Sequence, residues 1–307
     1  MGVCILKPHL WGAVLGIILA LPGCSVRKLA INSLGDALAK GTSSFAEDDD
    51  PELVMQAIPF GLKTIEGLLA ESPRHRGLLL AAAGGFTQYS YAFVQCEADY
   101  SESSDLQQAT AMRARAARLY RRAMDYGFRG LEVDHPGVAE RIRKSPETAM
   151  ADMRKEDVPL LYWTAAAWAS RISLNKEDAE LSADLRLTEI MMKRALDLDE
   201  TFGAGAIHDF FISYEGSRPA SAGGSVERAR EHMDRAMQIS AGKRVGPLVS
   251  YAEAVLVSQQ NRAEFEKTLN QALAFDADSE PSERLPNLIA QKRARWLLSQ
   301  IDVLFLE

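Results

Sequence analysis

The chain has 307 residues, of which 47% are hydrophobic and 7% aromatic, and its formal net charge is −7. This composition can form a buried core, and an acidic balance without a cluster of lysine and arginine argues against a nucleic-acid-binding protein. Alanine and leucine are abundant, which favours helices.

The first 24 residues have the pattern of a bacterial lipoprotein signal. Lys7 supplies a positive charge, and the apolar stretch over residues 10–21 is too short to span a hydrocarbon core of about 30 Å as a helix. The sequence Leu21-Pro22-Gly23-Cys24 resembles a lipobox, in which the cysteine is acylated and the preceding signal is removed. We therefore predict a signal peptide over residues 1–23 and lipidation of Cys24. The alternative is an ordinary secretory signal in which Cys24 has no role.

The residues after the cysteine predict where the anchor lies. Ser25 follows it in place of aspartate, so the usual inner-membrane retention signal of Gram-negative lipoproteins is missing. We expect an outer-membrane anchor that faces the periplasm, held firmly by two or three acyl chains. Residues 24–50 are predicted to be a lipidated tether, and a helix is predicted to begin at Pro51. Cys96 stands alone and is predicted to be a buried thiol, so no disulfide framework is expected.

Residues 51–307 are predicted to form a single all-α domain. Apolar residues recur at steps of three and four, as from Val158 to Ile172, and period-2 alternation is nearly absent. Helix-boundary signals agree with this prediction. They comprise two predicted N-caps and two predicted glycine C-caps: Ser225, Asn261, Gly127 and Gly242.

An internal repeat accompanies the helical pattern. Four segments combine polar or basic residues, an alanine and an aliphatic residue, and their alanines are 72, 41 and 36 residues apart: Ala123, Ala195, Ala236 and Ala272. The last two spacings are close to a tetratricopeptide unit of about 34 residues, and the first fits two units with an insertion near 129–157. We predict tetratricopeptide-like hairpins in a short solenoid or bundle, with each alanine where two helices approach closely. The alternative is an irregular bundle with alanines recurring by chance.

The sequence carries no sign of catalytic chemistry. Metalloprotease, serine-hydrolase, P-loop and dinucleotide-binding motifs are missing from usable contexts, and no CxxC occurs. No two histidines after the signal share a helix turn, and His232 is predicted to face solvent. We expect a non-enzymatic protein without a cofactor or metal ion. The loop over 223–225 is interpreted as a flexible segment before an N-cap, or alternatively as a helix N-terminus that holds an anion.

Two aromatic clusters, each on one predicted helix, are better candidates for a binding function. Adjacent helical positions point about 100° apart, so neighbouring rings cannot all face one core. Either these helices are packed on both sides, or some rings line an apolar pocket or channel with a few polar groups. The candidate lining residues are six rings and two polar neighbours: Tyr162, Trp163, Trp168, Phe210, Phe211, Tyr214, Glu215 and Arg218.

Four motifs in the second half of the chain carry a family resemblance. They are VPLLYW at 158–163, SAGGS followed by RAREH within 221–232, a segment from Pro247 to YAE at 251–253, and RLPNLIAQ followed by AR within 284–295. These motifs, of which the last two are the most specific, resemble the TatT family. TatT is the T component of tetratricopeptide-repeat-associated tripartite ATP-independent periplasmic (TRAP) transporters. The resemblance covers nearly the whole chain after the signal.

The resemblance implies a lipoprotein of tetratricopeptide-like hairpins that assembles as a homotrimer. It also implies a largely apolar pore in each subunit, a periplasmic ligand-binding P component as partner, and a small, hydrophobic organic anion as ligand. None of these properties follows from composition or spacing.

Three classes of function can be compared on this basis. The leading prediction is a transport accessory that holds a ligand or passes it to a soluble binding protein. The second is a tetratricopeptide-type scaffold for outer-membrane protein assembly, and the third is an enzyme that acts on the cell wall. An apolar tunnel would favour the first and a solvated peptide groove the second, while no paired acid and base supports the third.

Overall fold

The computed structural model describes residues 43–306. The predicted signal peptide, Cys24 and most of the predicted tether lie outside the described residues. Over the described range the chain is helical and contains no strand, which confirms the predicted fold class.

Sixteen α-helices follow one another in this range, with two π-helical turns. They are α1 (Ser43–Ala46), α2 (Pro51–Glu71), α3 (Arg76–Ser90), a first π turn (Tyr91–Gln95), α4 (Cys96–Ser101), α5 (Leu106–Asp134), α6 (Val138–Lys144), α7 (Pro146–Ala151), α8 (Val158–Ser173), α9 (Ala179–Ala183), α10 (Leu185–Leu198), α11 (Ala206–Gly216), α12 (Val226–Ile239), α13 (Gly246–Tyr251), a second π turn (Ala252–Leu256), α14 (Arg262–Ala274), α15 (Arg284–Ser299) and α16 (Ile301–Leu304).

The first long helix begins where the sequence predicts. Pro51 occupies the first turn of α2, where its missing N–H costs no hydrogen bond. The Asp50 carboxylate accepts hydrogen bonds from the backbone amides of Glu52 and Leu53, both at 3.0 Å. The acidic residue therefore acts as the N-cap and favours helix initiation at this point.

Successive long helices pack as antiparallel-type hairpins. The pairs are α3 with α5, α8 with α10, α11 with α12, and α13 with α14, and α5 also packs against α8. Helix α15 then packs on α14 and α13. Each amphipathic helix thus buries its apolar stripe against the next hairpin, as the repeat pattern predicts.

The four repeat alanines are fully buried. Ala123, Ala195, Ala236 and Ala272 are each 0% exposed, one in the second helix of every hairpin. At Gly205, which precedes α11, an added Cβ would lie 3.2 Å from the Ala236 Cα atom, so the backbones approach closely there. Small residues at these positions allow the close packing of the hairpins.

We expect Ala195→Leu and Ala236→Leu each to lower the free energy of unfolding by about 1–3 kcal/mol, because three extra carbons must fit into closed packing. Urea denaturation of the purified chain measures this. Ala263→Leu on the exposed side of α14 is the matched control and should change little. An unchanged midpoint for both buried variants would refute the assigned repeat register.

One of the two predicted glycine C-caps is wrong. Gly242 follows α12 with a positive φ of 74°, and its amide donates to the Met237 carbonyl, as expected of a C-cap. Gly127 instead lies buried inside α5. A Cβ there would clash with the Thr164 side chain of α8, so this glycine permits close contact between two helices.

The predicted insertion near 129–157 is present but begins later. Helix α5 continues to Asp134, and the short helices α6 and α7 with a 3₁₀ turn at Lys155–Asp157 fill the interval before α8. Arg76 anchors this insertion to α3, because its guanidinium contacts the Asp157 carboxylate at 2.8 Å.

The apolar core falls into two clusters. The first extends from α2 to α11 and includes Phe211 and Tyr214, and the second extends from α11 to the C-terminus and includes Ile212. Helix α11 therefore presents one side to each cluster and joins the two halves of the domain.

Candidate functional site

The two halves also meet at what we call the α4–α15 seam. The Arg293 guanidinium of α15 lies 3.0 Å from the Asp99 carboxylate of α4 and also pairs with Glu253 in the second π turn. The rings of Tyr100 and Trp296 are in contact beside it, 5.5 Å apart. The seam therefore joins the first and last parts of the domain, in addition to the contact that the two core clusters make through α11.

One side of helix α8 is less deeply buried than the other. Helices α5 and α10 cover its opposite side, where Trp168 and Leu161 are 0% exposed. Tyr162 and Trp163 are only half-buried and share their side of the helix with small residues. The other half-buried residues of this face are Ala166, Ala169 and Ser170. This side of α8 therefore combines two aromatic residues with a row of small side chains.

Helix α3 continues the same surface. Trp163 lies against Gly84, where an added Cβ would be 3.1 Å from the Trp163 Cε2 atom. Tyr91 lies seven residues beyond Gly84 and so on the same side of the helix. A glycine opposite the indole gives the ring room to lie flat along α3.

Tyr91 is partly exposed near the α4–α15 seam. Its side chain is 44% exposed. Even so, the pKa of its hydroxyl is raised well above the usual value, by the nearby Cys96 sulfur and by desolvation.

Both π turns lie near the α4–α15 seam. Tyr91 begins the first turn and Glu253 belongs to the second. A π turn inserts one extra residue into a helix and re-aims the following side chains, and such turns are frequent at functional sites. Here they turn Tyr91 and Glu253 toward the α4–α15 seam.

A second polar group lies near the aromatic residues of α8. Burial and the neighbouring Asp209 carboxylate raise the pKa of the Tyr162 hydroxyl to about 12. The Arg244 guanidinium is 3.4 Å from Asp209 and 3.4 Å from Glu283. Arg244 and Glu283 also line a surface hollow of about 280 Å³. This charged group therefore lies between the aromatic face and the outside of the protein.

The aromatic residues of α11 differ in how deeply they are buried. Phe211 is 2% and Tyr214 is 7% exposed, and the Tyr214 hydroxyl donates to Glu189 at 2.7 Å. Phe210 is half-buried and stacks on Tyr214 with ring centroids 5.7 Å apart. Among the six predicted rings, the structure thus leaves Tyr162, Trp163 and Phe210 partly accessible.

Glu215 and Arg218 have structural partners. The Glu215 carboxylate, 5% exposed, accepts a hydrogen bond from Arg228 at 2.6 Å. Arg218 lies over the Tyr214 ring at 3.7 Å and donates to the Ala222 carbonyl. These contacts hold the loop that leads into α12.

The same loop ends in the predicted N-cap. The Ser225 hydroxyl accepts a hydrogen bond from the Arg228 amide at 3.1 Å, which confirms the sequence prediction. Gly223 has a positive φ of 85°, and a Cβ on Gly224 would collide with the Arg218 backbone. The two glycines are therefore required by the geometry of the turn.

The prediction that His232 faces solvent is wrong. His232 is half-buried, its ring stacks on Phe211 at 4.9 Å, and its Nδ1 lies 2.8 Å from Nδ1 of His208. His208 Nε2 lies 3.3 Å from Glu200 and donates to it, so its Nδ1 accepts from His232 when both rings are neutral. The two histidines are 24 residues apart, so helical spacing within one element could not reveal the pair.

The histidine pair predicts that the folded chain loses stability as the pH decreases below about 6.5. Desolvation lowers the pKa of both rings, that of His232 to about 4. The folded chain therefore binds fewer protons than the unfolded chain below the ordinary histidine pKa of about 6.5. We expect the full contribution above pH 6.5 and a progressive loss toward pH 4. Thermal melts at pH 7 and pH 5 measure it, and His208→Gln/His232→Gln should flatten the difference. An equally steep dependence in the double variant would contradict this account.

The described residues offer binding surfaces and no catalytic arrangement of side chains. Groups of three or more histidine, cysteine or carboxylate side chains with metal-site geometry do not occur in this part of the chain. Cys96 is 1% exposed, and burial raises its thiol pKa to about 12, so it is unreactive at neutral pH. A partly accessible aromatic surface with polar groups nearby can bind the apolar part of a small molecule and orient its polar part.

The described residues thus define an all-α protein of packed helical hairpins with partly accessible aromatic side chains. The profile of the TRAP transporter T-component family matches residues 47–305. The chain is also 30% identical to an uncharacterized protein of Treponema pallidum (strain Nichols), over 93% of this chain and 94% of that protein. The chain belongs to the TRAP transporter T-component family, which confirms the resemblance found in the sequence and associates it with a transport system.

Proposed function

We propose that this chain is a lipid-anchored, periplasm-facing component that holds a small, hydrophobic organic ligand or passes it to a periplasmic ligand-binding P component. The observation that carries the proposal is that three of the six predicted rings, Tyr162, Trp163 and Phe210, remain partly accessible. Rings exposed singly on an outer surface would have no such use, whereas a partly buried set can desolvate a hydrocarbon chain.

The α4–α15 seam favours this function over a scaffold for outer-membrane assembly. A tetratricopeptide scaffold binds an extended peptide in an open concave groove. Here the Arg293 pairs with Asp99 and Glu253 hold the first and last parts of the domain together across that groove. A passage for a small molecule fits this closed arrangement better than a peptide groove does.

The proposal assigns separate roles to the predicted site residues. Tyr162, Trp163 and Phe210 contact the ligand, together with Tyr91 at the far end. The buried candidates support that surface from behind: Trp168, Phe211, Tyr214, Glu215 and Arg218. Tyr162, Asp209 and Arg244 form the polar end near the surface hollow and orient the ligand's polar group.

Attachment and assembly complete the proposal. Acylation of Cys24 would hold the chain to the outer membrane, and three copies would form the assembly that contacts the P component. Cys24→Ala should then lose incorporated fatty acid. Metabolic labelling tests this, and equal label in variant and wild type would contradict the anchor.

Co-purification from the native membrane tests the function itself. The lipoprotein is extracted in mild detergent, and bound proteins and small molecules are identified by mass spectrometry. We expect a periplasmic solute-binding protein together with a small organic molecule. Recovery of outer-membrane assembly proteins without any small molecule would instead support the scaffold.

A further inference from the structure

The outward face of α5 carries a row of arginines. Between residues 106 and 131 the chain has six arginines and a single acidic residue, Asp125. Four of these arginines are exposed on one side of the helix, at steps of three, four and seven residues: Arg115, Arg118, Arg122 and Arg129. A chain with a formal net charge of −7 thus has a basic strip along one long helix.

Aromatic rings hold three of these side chains in place, and Arg122 also pairs with Glu66 at 3.4 Å. The guanidinium of Arg115 lies 5.7 Å from the centre of the Tyr89 ring, and that of Arg122 lies 5.3 Å from Phe86. Arg129 lies over Tyr126 at 5.1 Å. Stacked guanidinium groups keep their charge and their outward hydrogen-bond donors, so the strip is organised before any partner binds.

Exposed apolar side chains lie on the neighbouring helix α2. Helix α2 is adjacent to α5, because Glu66 of α2 accepts a hydrogen bond from Tyr126 and lies 3.4 Å from Arg122. On α2, Leu53 is 56% and Phe60 is 80% exposed, and their spacing of seven residues places them on one side. Helix α2 is long and apolar enough to cross a membrane by length and composition, with only 17% of its apolar window buried.

We propose that the α2–α5 face, defined by Leu53, Phe60, Arg115, Arg118 and Arg122, lies on a bilayer that contains anionic phospholipids. Apolar side chains that enter the headgroup region and arginines that pair with lipid phosphates are the two components of interfacial binding. Only residues 25–50 separate Cys24 from α2, so the membrane is within reach of this face. The proposal rests on the membrane attachment proposed above and specifies how the helical domain is oriented on that membrane.

The test uses the full-length lipoprotein in vesicles, with a fluorescent probe on a new cysteine. Ala114→Cys places the probe within the arginine strip and removes no arginine, and Ala263→Cys places it on exposed α14 as the control. Cys96 is buried and does not compete for the label. Vesicles of phosphatidylcholine alone are compared with vesicles that contain phosphatidylglycerol, and flotation is measured separately to verify attachment.

With phosphatidylglycerol we expect iodide quenching at position 114 to fall at least about threefold, with no change at position 263. Arg115→Glu/Arg118→Glu should restore quenching, whereas Lys267→Glu/Arg295→Glu, an equal charge change on exposed positions elsewhere, should not. Full quenching at position 114 in chains that float with the vesicles overturns the membrane orientation while leaving the anchor intact. Protection that appears only when a soluble partner protein is added also overturns it, because the strip then binds an acidic protein.

Discussion

Arg293→Ala is expected to lower the free energy of unfolding by about 3 kcal/mol, since removing one partner of a buried ion pair leaves the other charges uncompensated. The Arg293 side chain is 8% exposed and pairs with two carboxylates from different parts of the chain. Its guanidinium also lies 4.3 Å from the centre of the Trp296 ring. Glu253 is 37% exposed and can regain water, which keeps the loss at the lower end of the range for such pairs.

The neighbouring residue provides the control. Lys292 pairs with Glu97 across the same seam, but its side chain is 57% exposed. Exposed pairs contribute about 0–1 kcal/mol, so Lys292→Ala should shift the urea midpoint little. Hydrogen exchange of α4 and α15 should rise in Arg293→Ala before that of α8. Equal stability of the two variants would show that the Arg293 ion pairs do not stabilise the domain.

Phe211→Glu is expected to unfold much of the domain, while Trp163→Glu should leave it folded. Phe211 is 2% exposed between Tyr214 and His232, so a carboxylate there loses a buried ring and buries a charge, at a cost of at least about 3–5 kcal/mol. Trp163 is half-buried on the less buried side of α8, where a carboxylate stays accessible, and the expected loss is about 1–3 kcal/mol.

Far-ultraviolet circular dichroism with urea denaturation separates the two variants. Tyr162→Phe is a conservative comparison, because it keeps the ring and removes only the hydroxyl. If Trp163→Glu unfolds as completely as Phe211→Glu, both rings belong to the core and the aromatic surface is structural. If Phe211→Glu is as stable as wild type, the assignment of α11 to the core is wrong.

The sequence was sufficient for features that depend on neighbours along the chain. Asp50 and Pro51 set a helix start by their own chemistry, and Ser225 does the same for α12. The buried alanines, such as Ala195, recur because each hairpin repeats one packing problem. Gly127 misled the prediction because a glycine beside a neighbouring helix and a glycine after a helix look alike in sequence.

The features that required the structure join residues distant in the chain. Arg293 and Asp99 are 194 residues apart, so no local pattern links them. The two π turns arise within ordinary helical sequence, and the His208–His232 pair depends on how α11 and α12 are aligned. The arginines of α5 do not form a continuous run in the sequence. They are spread at steps of three and four, so the basic strip forms only when the helix does.

The aromatic residues lie between these cases. Spacing predicts that Tyr162 and Trp163 do not both face one core, and both side chains are half-buried in the structure. For Phe210 and Phe211 the spacing gives no preference, and only the packing of α11 shows that Phe211 is the buried one.

The most direct measurement of the central claim is the amount of small molecule that co-purifies with Trp163→Glu relative to wild type, quantified by mass spectrometry from equal amounts of folded lipoprotein. If the aromatic surface holds the ligand, we predict a loss of at least about tenfold, with the P component retained at its wild-type level. A variant that is folded, retains the P component and carries the wild-type amount of small molecule would contradict the account.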